Sequence, residues 1–313
     1  MAAGAATGRP FPSGVSAGAA KTMIPMPDSS RSPSSASATR FVELPLSTQV
    51  RRLRIEYRWV GSADPQAPLA VFLHEGLGSV AMWKDWPARL CERLGLRGLL
   101  YSRPGYGASS PRAPEEHWPV DFLERQARDG LPALLDALAI GPAQRQRMVV
   151  IGHSDGASIA LLYAALHRDA VGAAIAIAPH TFVEACTLAG IAEARHAYLD
   201  LSSGLRARLA RYHADVDSAF WGWNTVWLSS GFRHWDMREQ LSRIRCPVLV
   251  AQGDDDRYGT LAQLHAIAEH VPQTRQVVLP AYGHAPHLEA CAALDDAIAE
   301  FIAALPRRVH GMS

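Results

Sequence analysis

The sequence predicts an α/β protein: a mostly parallel, twisted sheet with helices on both faces, and a helical cap inserted late in the chain. Three observations carry this. From Pro68 onward, short apolar runs alternate with segments of helical spacing, the order produced when crossover helices join parallel strands. The runs PLAVFL, RMVVIGH, VGAAIAIA and CPVLVA are apolar without alternation, as in strands buried on both faces. The interval from His180 to Ile244 contains helical segments and no strand-like run, yet lies between two strands, so it reads as a cap over the carboxyl edge of the sheet, where open α/β sheets bind ligands.

Residues 1–39 are rich in Ala, Gly, Ser and Pro, lack periodicity and read as a disordered tail, with Met23 and Met26 as alternative translation starts. Residues 40–179 and 245–305 are assigned to the core, 180–244 to the cap and 306–313 to a C-terminal tail. FVELPL and RRLRIEYRWVG read as two antiparallel strands, the second alternating through Leu53, Ile55, Tyr57 and Trp59. PLAVFLHEGLG is a buried strand running into a glycine loop, and a helix is expected from Val80 to Leu94. LRGLLYSRPGYGAS is the next strand and loop. Asp121–Ala139 has helical spacing and stops before Gly141-Pro142. RMVVIGHS is a strand and Gly156–His167 a helix. VGAAIAIAPH and CPVLVAQGDDD are strands, the second followed by a helix at Leu261–His270. RQVVLPAYGH is the last strand and Leu288–Ala304 the last helix. No internal repeat is evident.

The 313 residues are 48% hydrophobic and 19% charged, ample for a sizeable core. The net charge of +1 offers no basic field for nucleic acid and no cationic run for an anionic membrane, and no apolar stretch is long enough to span a bilayer. The expected partner is a small acyl or aryl substrate, with room for a homodimer. Cys91, Cys186, Cys246 and Cys291 are scattered and lack metal-ligand spacing, so they read as buried thiols of a reducing compartment. The absence of an export signal makes the cytoplasm the expected location, and the Ala- and Arg-rich composition is that of a bacterial protein.

Chemistry concentrates just past the strand ends. Gly152-His153-Ser154-Asp155-Gly156 places a serine between two glycines where a strand turns directly into a helix, the G-x-S-x-G arrangement of an exposed nucleophile. A serine hydroxyl needs a base, and His284 stands in a glycine loop after the last strand, able to reach over the sheet edge. His287 is expected behind the catalytic groups or on the surface. The base needs an orienting carboxylate, and Asp254, Asp255 and Asp256 lie just past a strand; mutual repulsion prevents all three from pointing inward cheaply.

The chain from about Arg40 to Leu305 resembles an α/β-hydrolase. In that family the acid commonly falls three residues after a glycine, so the resemblance to Gly253-x-x-Asp256 selects Asp256, with Asp255 as the alternative. His74-Glu75-Gly76-Leu77-Gly78 is similar to the family's H-G-G-P-G oxyanion loop, with Glu75 in place of a glycine. This implies backbone donors at Gly76 and Asp155, or at Leu77 if the loop is offset. Ser102 to Ser109 resembles the family's D-R-P-G-Y-G-x-S turn, with Ser102 replacing the acid.

The chemistry expected is acyl transfer to water through an acyl-Ser154 intermediate, with no metal or organic cofactor. Carboxylic esters come first. Carbon–carbon bonds of aromatic catabolism, thioesters and lactones are alternatives, as is a ligand receptor that retains the triad. The cap carries the specificity signal: Phe220, Trp221, Trp223, Trp227, Phe232 and Trp235 crowd one short stretch, and at least two are expected to wall an apolar pocket. Trp221, Trp223, Trp227, Glu75 and His153 are therefore candidate pocket residues. Asp155 or Glu75 is a candidate to receive a cationic or hydrogen-bond-donating substrate group.

Overall fold

The computed structural model describes residues 38–45, 52–289 and 291–306. Most of the expected N-terminal tail, nearly all of the C-terminal one and the side chain of Cys291 lie outside these residues. Eight strands form one sheet: β1 (Arg40–Pro45), β2 (Arg52–Gly61), β3 (Leu69–Leu73), β4 (Arg97–Tyr101), β5 (Val149–His153), β6 (Ala173–Ile177), β7 (Val248–Gly253) and β8 (Thr274–Leu279), in the order β1-β2-β4-β3-β5-β6-β7-β8. β1 with β2 and β2 with β4 are antiparallel, and every other pair is parallel. The helices are α1 (Trp86–Leu94), α2 (Phe122–Arg125), α3 (Leu131–Ala137), α4 (Pro142–Arg145), α5 (Asp155–Leu166), α6 (Ala185–Leu199), α7 (Leu205–Leu209), α8 (Val216–Trp227), α9 (Arg238–Leu241), α10 (Ala262–His270), α11 (Pro286–Glu289) and α12 (Cys291–Ala303).

Strand residues alternate between two apolar layers because successive side chains point to opposite faces. Val71, Leu73, Leu99, Val150, Ala174 and Val250 pack with Leu123, Leu131, Ile159 and Leu264 of α2, α3, α5 and α10. Ala70, Phe72, Leu100, Ile151, Ile175 and Leu249 pack with Trp86, Leu90, Leu294 and Ile298 of α1 and α12. Both faces are thus covered, which explains the unbroken apolar runs.

Two helices differ from expectation for local reasons. α1 starts at Trp86 rather than Val80, with Pro87 in its first turn, where a missing N–H costs nothing. The segment expected as one helix from Asp121 is widened by a π turn at Gln126–Gly130, just before Pro132, whose ring cannot continue the ordinary ladder.

The chain moves from β3 to β4 on one side and then returns across β3 to β5 on the other. The carboxyl ends of β3 and β5 therefore flank a topological switch point, the crevice where open sheets bind ligands. Between β6 and β7 the chain runs through α6–α9 and returns beside its own start, where Phe182 bridges Asp236 and the Met237 N–H donates to Thr181 O at 2.8 Å. Phe220, Trp227, Phe232 and Met237 from this insertion share one apolar cluster with Val71 and Val150, so it is continuous with the core. No helix among the described residues is long and apolar enough to cross a membrane.

Candidate active site

β5 ends at His153 and α5 begins at Asp155, so Ser154 alone makes the turn. Its backbone lies at φ 54°, ψ −119°, a region that costs a residue with a side chain ~1–3 kcal/mol. The turn is closed enough that only glycines fit around it. A Cβ on Gly152 would stand 2.1 Å from Gly156 O, and one on Gly156 would stand 1.9 Å from Leu73 O. The result presents Ser154 Oγ at the N-terminus of α5, where helix dipole and free N–H groups favour negative charge.

Ser154 Oγ is 2.9 Å from His284 Nε2, and His284 Nδ1 is 2.8 and 2.9 Å from the two carboxylate oxygens of Asp256. Asp256 is fixed in turn by the Tyr258 N–H at 2.8 Å and the Gln252 side-chain amide at 3.3 Å. Its two neighbours face elsewhere: Asp254 is exposed and accepts from the Ala281 N–H at 2.6 Å, and Asp255 is exposed. Burial alone would lower the basicity of His284, but the charge and hydrogen bond of Asp256 outweigh it and raise the imidazole above its ordinary value. Burial likewise opposes ionisation of Asp256, yet the His284 charge and hydrogen bond hold its carboxyl below the usual range.

The loop after β3 is clamped from beneath. Glu75 O accepts from His74 Nδ1 at 2.7 Å, the Gly78 N–H at 3.0 Å and Arg103 Nη2 at 3.0 Å, while Arg103 Nη1 donates to His74 O. Because His74 Nδ1 donates, its Nε2 is free to accept, and it takes the Arg103 N–H at 3.0 Å. Burial and the Arg103 charge keep this imidazole neutral. The peptide between Glu75 and Gly76 is trans, so a carbonyl held down by three donors turns the Gly76 N–H the opposite way. Neither that N–H nor that of Asp155 donates to another backbone group among the described residues.

Both acids singled out from the sequence lie at this site, in unequal positions. The Glu75 side chain is 23% exposed, with His153 Nδ1 3.6 Å from Oε2. Burial opposes its ionisation, but His153 and Arg103 hold its carboxyl below the usual range. The Asp155 side chain is 1% exposed, and its nearest cation is Arg103, 4.0 Å away. Burial pushes its carboxyl up to about 6, against the pull of Arg103. His153 is buried, and its Nε2–H donates to His284 O at 2.7 Å, steadying the loop that carries the imidazole.

A cavity of about 390 Å³ opens on Ser154 and His284, walled by Gly76, Leu77, Met82, Ile191, Leu205, Leu209, Trp223, Trp227 and Tyr258. Of the cap rings expected to face it, Trp223 and Trp227 do. Trp221 does not: Trp223 and Trp227 are four residues apart and share a helix face, whereas Trp221 falls on the far side of α8, edge-on to Tyr198 at 5.6 Å. Phe220 is buried in a stack on Tyr198, and Phe232 and Trp235 are buried in a stack on each other that reaches Phe122 and Glu124 of α2. Trp223 fits because residue 76 has no side chain; a Cβ there would lie 2.2 Å from Trp223 Nε1. His287 is buried rather than superficial, 4.5 Å from the His153 ring and 5.2 Å from those of Trp83 and Trp86.

Sequence reasoning passed over Arg103 and His180. Arg103 sits in the Arg-Pro-Gly turn after an apolar strand, a placement that puts a long cation beneath the neighbouring loop. His180, three residues beyond the end of β6, lines the cavity; burial, with the neighbouring His284 charge, lowers it to about 3 and keeps it neutral.

Residues 70–303 match the model of the alpha/beta hydrolase family. The chain is 27% identical over 252 residues to "Putative carbamate hydrolase RutD" of Caulobacter sp. (strain K31), covering 74% of this chain and 90% of that protein. Among solved structures, the enol-lactonase from Burkholderia xenovorans LB400 superposes with a TM-score of 0.62 at 20% identity, covering 80% of this chain and 97% of that one. The serine hydrolase of carbazole degradation, CarC, does so with a TM-score of 0.64 at 18% identity, covering 86% and 99%. A family match spanning most of the chain, on a sheet whose switch point carries a serine elbow, makes this protein a hydrolase that belongs to the alpha/beta hydrolase family.

Proposed function

We propose that the protein is a serine hydrolase that cleaves carboxylic esters of small apolar or aromatic substrates through an acyl-enzyme. The reading rests on the unbroken chain Ser154 Oγ–His284 Nε2 and His284 Nδ1–Asp256, with distances of 2.8 to 2.9 Å, opening into the cavity. His284 takes the hydroxyl proton as Ser154 Oγ bonds to the carbonyl carbon. The carbonyl becomes an oxyanion, received by the N–H groups of Gly76 and Asp155. Collapse breaks the bond to the leaving oxygen, which takes the proton from His284. Water then loses a proton to His284 and attacks the acyl carbon; the bond to Ser154 Oγ breaks, Oγ takes the proton back from His284, and the acid leaves.

A serine at the elbow speaks against the aspartate-nucleophile chemistry of epoxide opening. The Leu, Ile and Trp lining favours apolar acyl or aryl groups over sugars. Lactones, thioesters and carbon–carbon bonds call on the same groups, and a non-catalytic receptor would leave them idle.

The test is labelling by a fluorophosphonate together with turnover of p-nitrophenyl esters from acetate to octanoate, in wild type and Ser154→Ala. Labelling and multiple turnover in wild type alone are expected. A folded wild type that takes no label and turns over no ester would overturn the reading. One slow turnover with retained product would indicate a receptor.

A further inference from the structure

Around the cavity, most ionisable groups are matched within the protein. Asp155 faces Arg103, Glu75 faces His153, and Arg257 lies 2.7 Å from Glu193. Glu289 accepts from the Gly283 N–H at 3.2 Å, and Asp255 is exposed to solvent. Lys84 and Arg208 also line the cavity, and neither forms an ion pair with a carboxylate among the described residues. Lys84 comes from the core, on the segment before α1, where its own backbone is left-handed at φ 56°. Arg208 comes from α7 of the cap.

Tyr212 joins the two sides. Lys84 Nζ donates to its hydroxyl at 2.7 Å and lies 4.3 Å from its ring centroid, and Arg208 stands four residues before it. Arg208 Nη1 donates to Ser203 O at 2.8 Å, which fixes the guanidinium and leaves its other N–H groups available. Lys84, Arg208 and Tyr212 are all half-buried, and the cavity they line also includes Leu77, Met82, Leu205 and Leu209. Two partly desolvated cations without a carboxylate partner suit an anion that arrives with the ligand. One of the cations is already shared with a hydroxyl, so a monoanion fits better than a dianion.

We propose that Lys84, Arg208 and the Tyr212 hydroxyl form a carboxylate-binding subsite, and that the preferred substrates are esters whose acyl chain ends in a carboxylate. The chain would cross the apolar part of the cavity between Ser154 and this subsite. The inference rests on the serine hydrolase reading of the same cavity. Because the donors come from both core and cap, such a substrate would also hold the two together.

The experiment compares p-nitrophenyl monoesters of glutaric, adipic and suberic acid with p-nitrophenyl pentanoate, hexanoate and octanoate. At one or more chain lengths, kcat/KM is expected to favour the acid-tipped ester by about tenfold or more, the effect of one charge-assisted hydrogen bond. That ratio should shrink as salt is raised and fall towards one in Lys84→Gln and in Arg208→Gln, while Lys84→Arg keeps it. Equal or faster turnover of the neutral ester at every length, or a ratio that survives both substitutions, overturns the subsite. A readout without chemistry separates the two readings: calorimetric titration of Ser154→Ala with monomethyl adipate, which carries one carboxylate and one ester, should show saturable binding that weakens when Lys84→Gln is added. Binding without turnover of any ester sinks the hydrolase reading and supports the subsite; turnover of neutral esters without monomethyl adipate binding does the reverse.

Discussion

Replacing Arg103 by methionine should destabilise the protein by an amount that grows with pH. Arg103 is 2% exposed, holds the carbonyls of His74 and Glu75, and is the nearest cation to the buried carboxylate of Asp155. In the wild type that carboxyl sits at about 6, raised by burial and restrained by Arg103, so at pH 7 it is largely ionised. Without the guanidinium it cannot ionise cheaply and will bind a proton instead. That escape caps the penalty: about 1.4 kcal/mol at pH 7, roughly twice that at pH 8, and close to nothing at pH 5. The sign follows from the direction of the shift. A carboxyl raised in the folded state makes that state bind more protons than the unfolded chain, so stability falls as pH rises from 3.8 to about 6 in the wild type, and the fall continues to higher pH in Arg103→Met. The lost hydrogen bonds to two carbonyls add a pH-independent loss of about 1 kcal/mol each. Urea unfolding of both proteins at pH 5.5, 7 and 8 measures the gap. Adding Asp155→Asn to Arg103→Met should flatten it. A gap of the same size at all three pH values, or one untouched by Asp155→Asn, would refute the charge coupling. Looser hold on the Glu75 carbonyl should also lower kcat more than it raises KM, within the roughly 10²–10³-fold worth of one oxyanion donor.

The pH profile of kcat/KM tests the imidazole: it should rise with pH through a midpoint above 6.5, because His284 must be neutral to accept the Ser154 proton and Asp256 holds it charged to higher pH than usual. Asp256→Asn should lower the midpoint, since burial is then opposed only by the charges of Glu75 and Asp155, and cut turnover by on the order of 10⁴-fold; Asp255→Asn should leave the midpoint in place, and a midpoint that stays put in Asp256→Asn would remove Asp256 from its role. Glu75→Gln should change the preference between amino-bearing and neutral esters, whereas Asp155→Asn should not, because the Glu75 side chain is 23% exposed and that of Asp155 1%; the reverse pattern in competition assays would show that a ligand reaches Asp155 instead.

What the sequence makes legible here is local. The elbow is readable because the sharpness of one turn demands Gly152 and Gly156, and the two-sided sheet because both faces of each central strand are apolar. The choice among Asp254, Asp255 and Asp256 is not local. It depends on which of them meets a loop arriving from the far side of β8, and a family spacing, not a charge argument, points to Asp256. Trp221 shows the same limit: composition announces an aromatic wall, but only the rotation of α8 decides which rings face the ligand.

The Ser102 position carries this furthest. The family's turn has a carboxylate there, and this chain has none, which from sequence looks like a lost interaction. In the fold, Ser102 Oγ donates at 2.7 Å to Glu56 Oε2 from β2, the same oxygen accepts the Ala108 N–H at 2.9 Å, and Ser102 Oγ accepts the Val80 N–H at 2.9 Å. The carboxyl group has moved to the antiparallel strand beside β4, forty-six residues earlier in the chain, and a hydroxyl links it to the segment that follows the loop after β3. A buried turn needs its N–H groups satisfied, whichever strand supplies the acceptor. A motif read along one segment therefore records one solution to that demand, and a departure from it is informative only once the neighbouring strand is known. The same reasoning applies to Glu75 and Asp155, whose carboxylates look hostile to an oxyanion in the sequence and are met in the fold by His153 and Arg103.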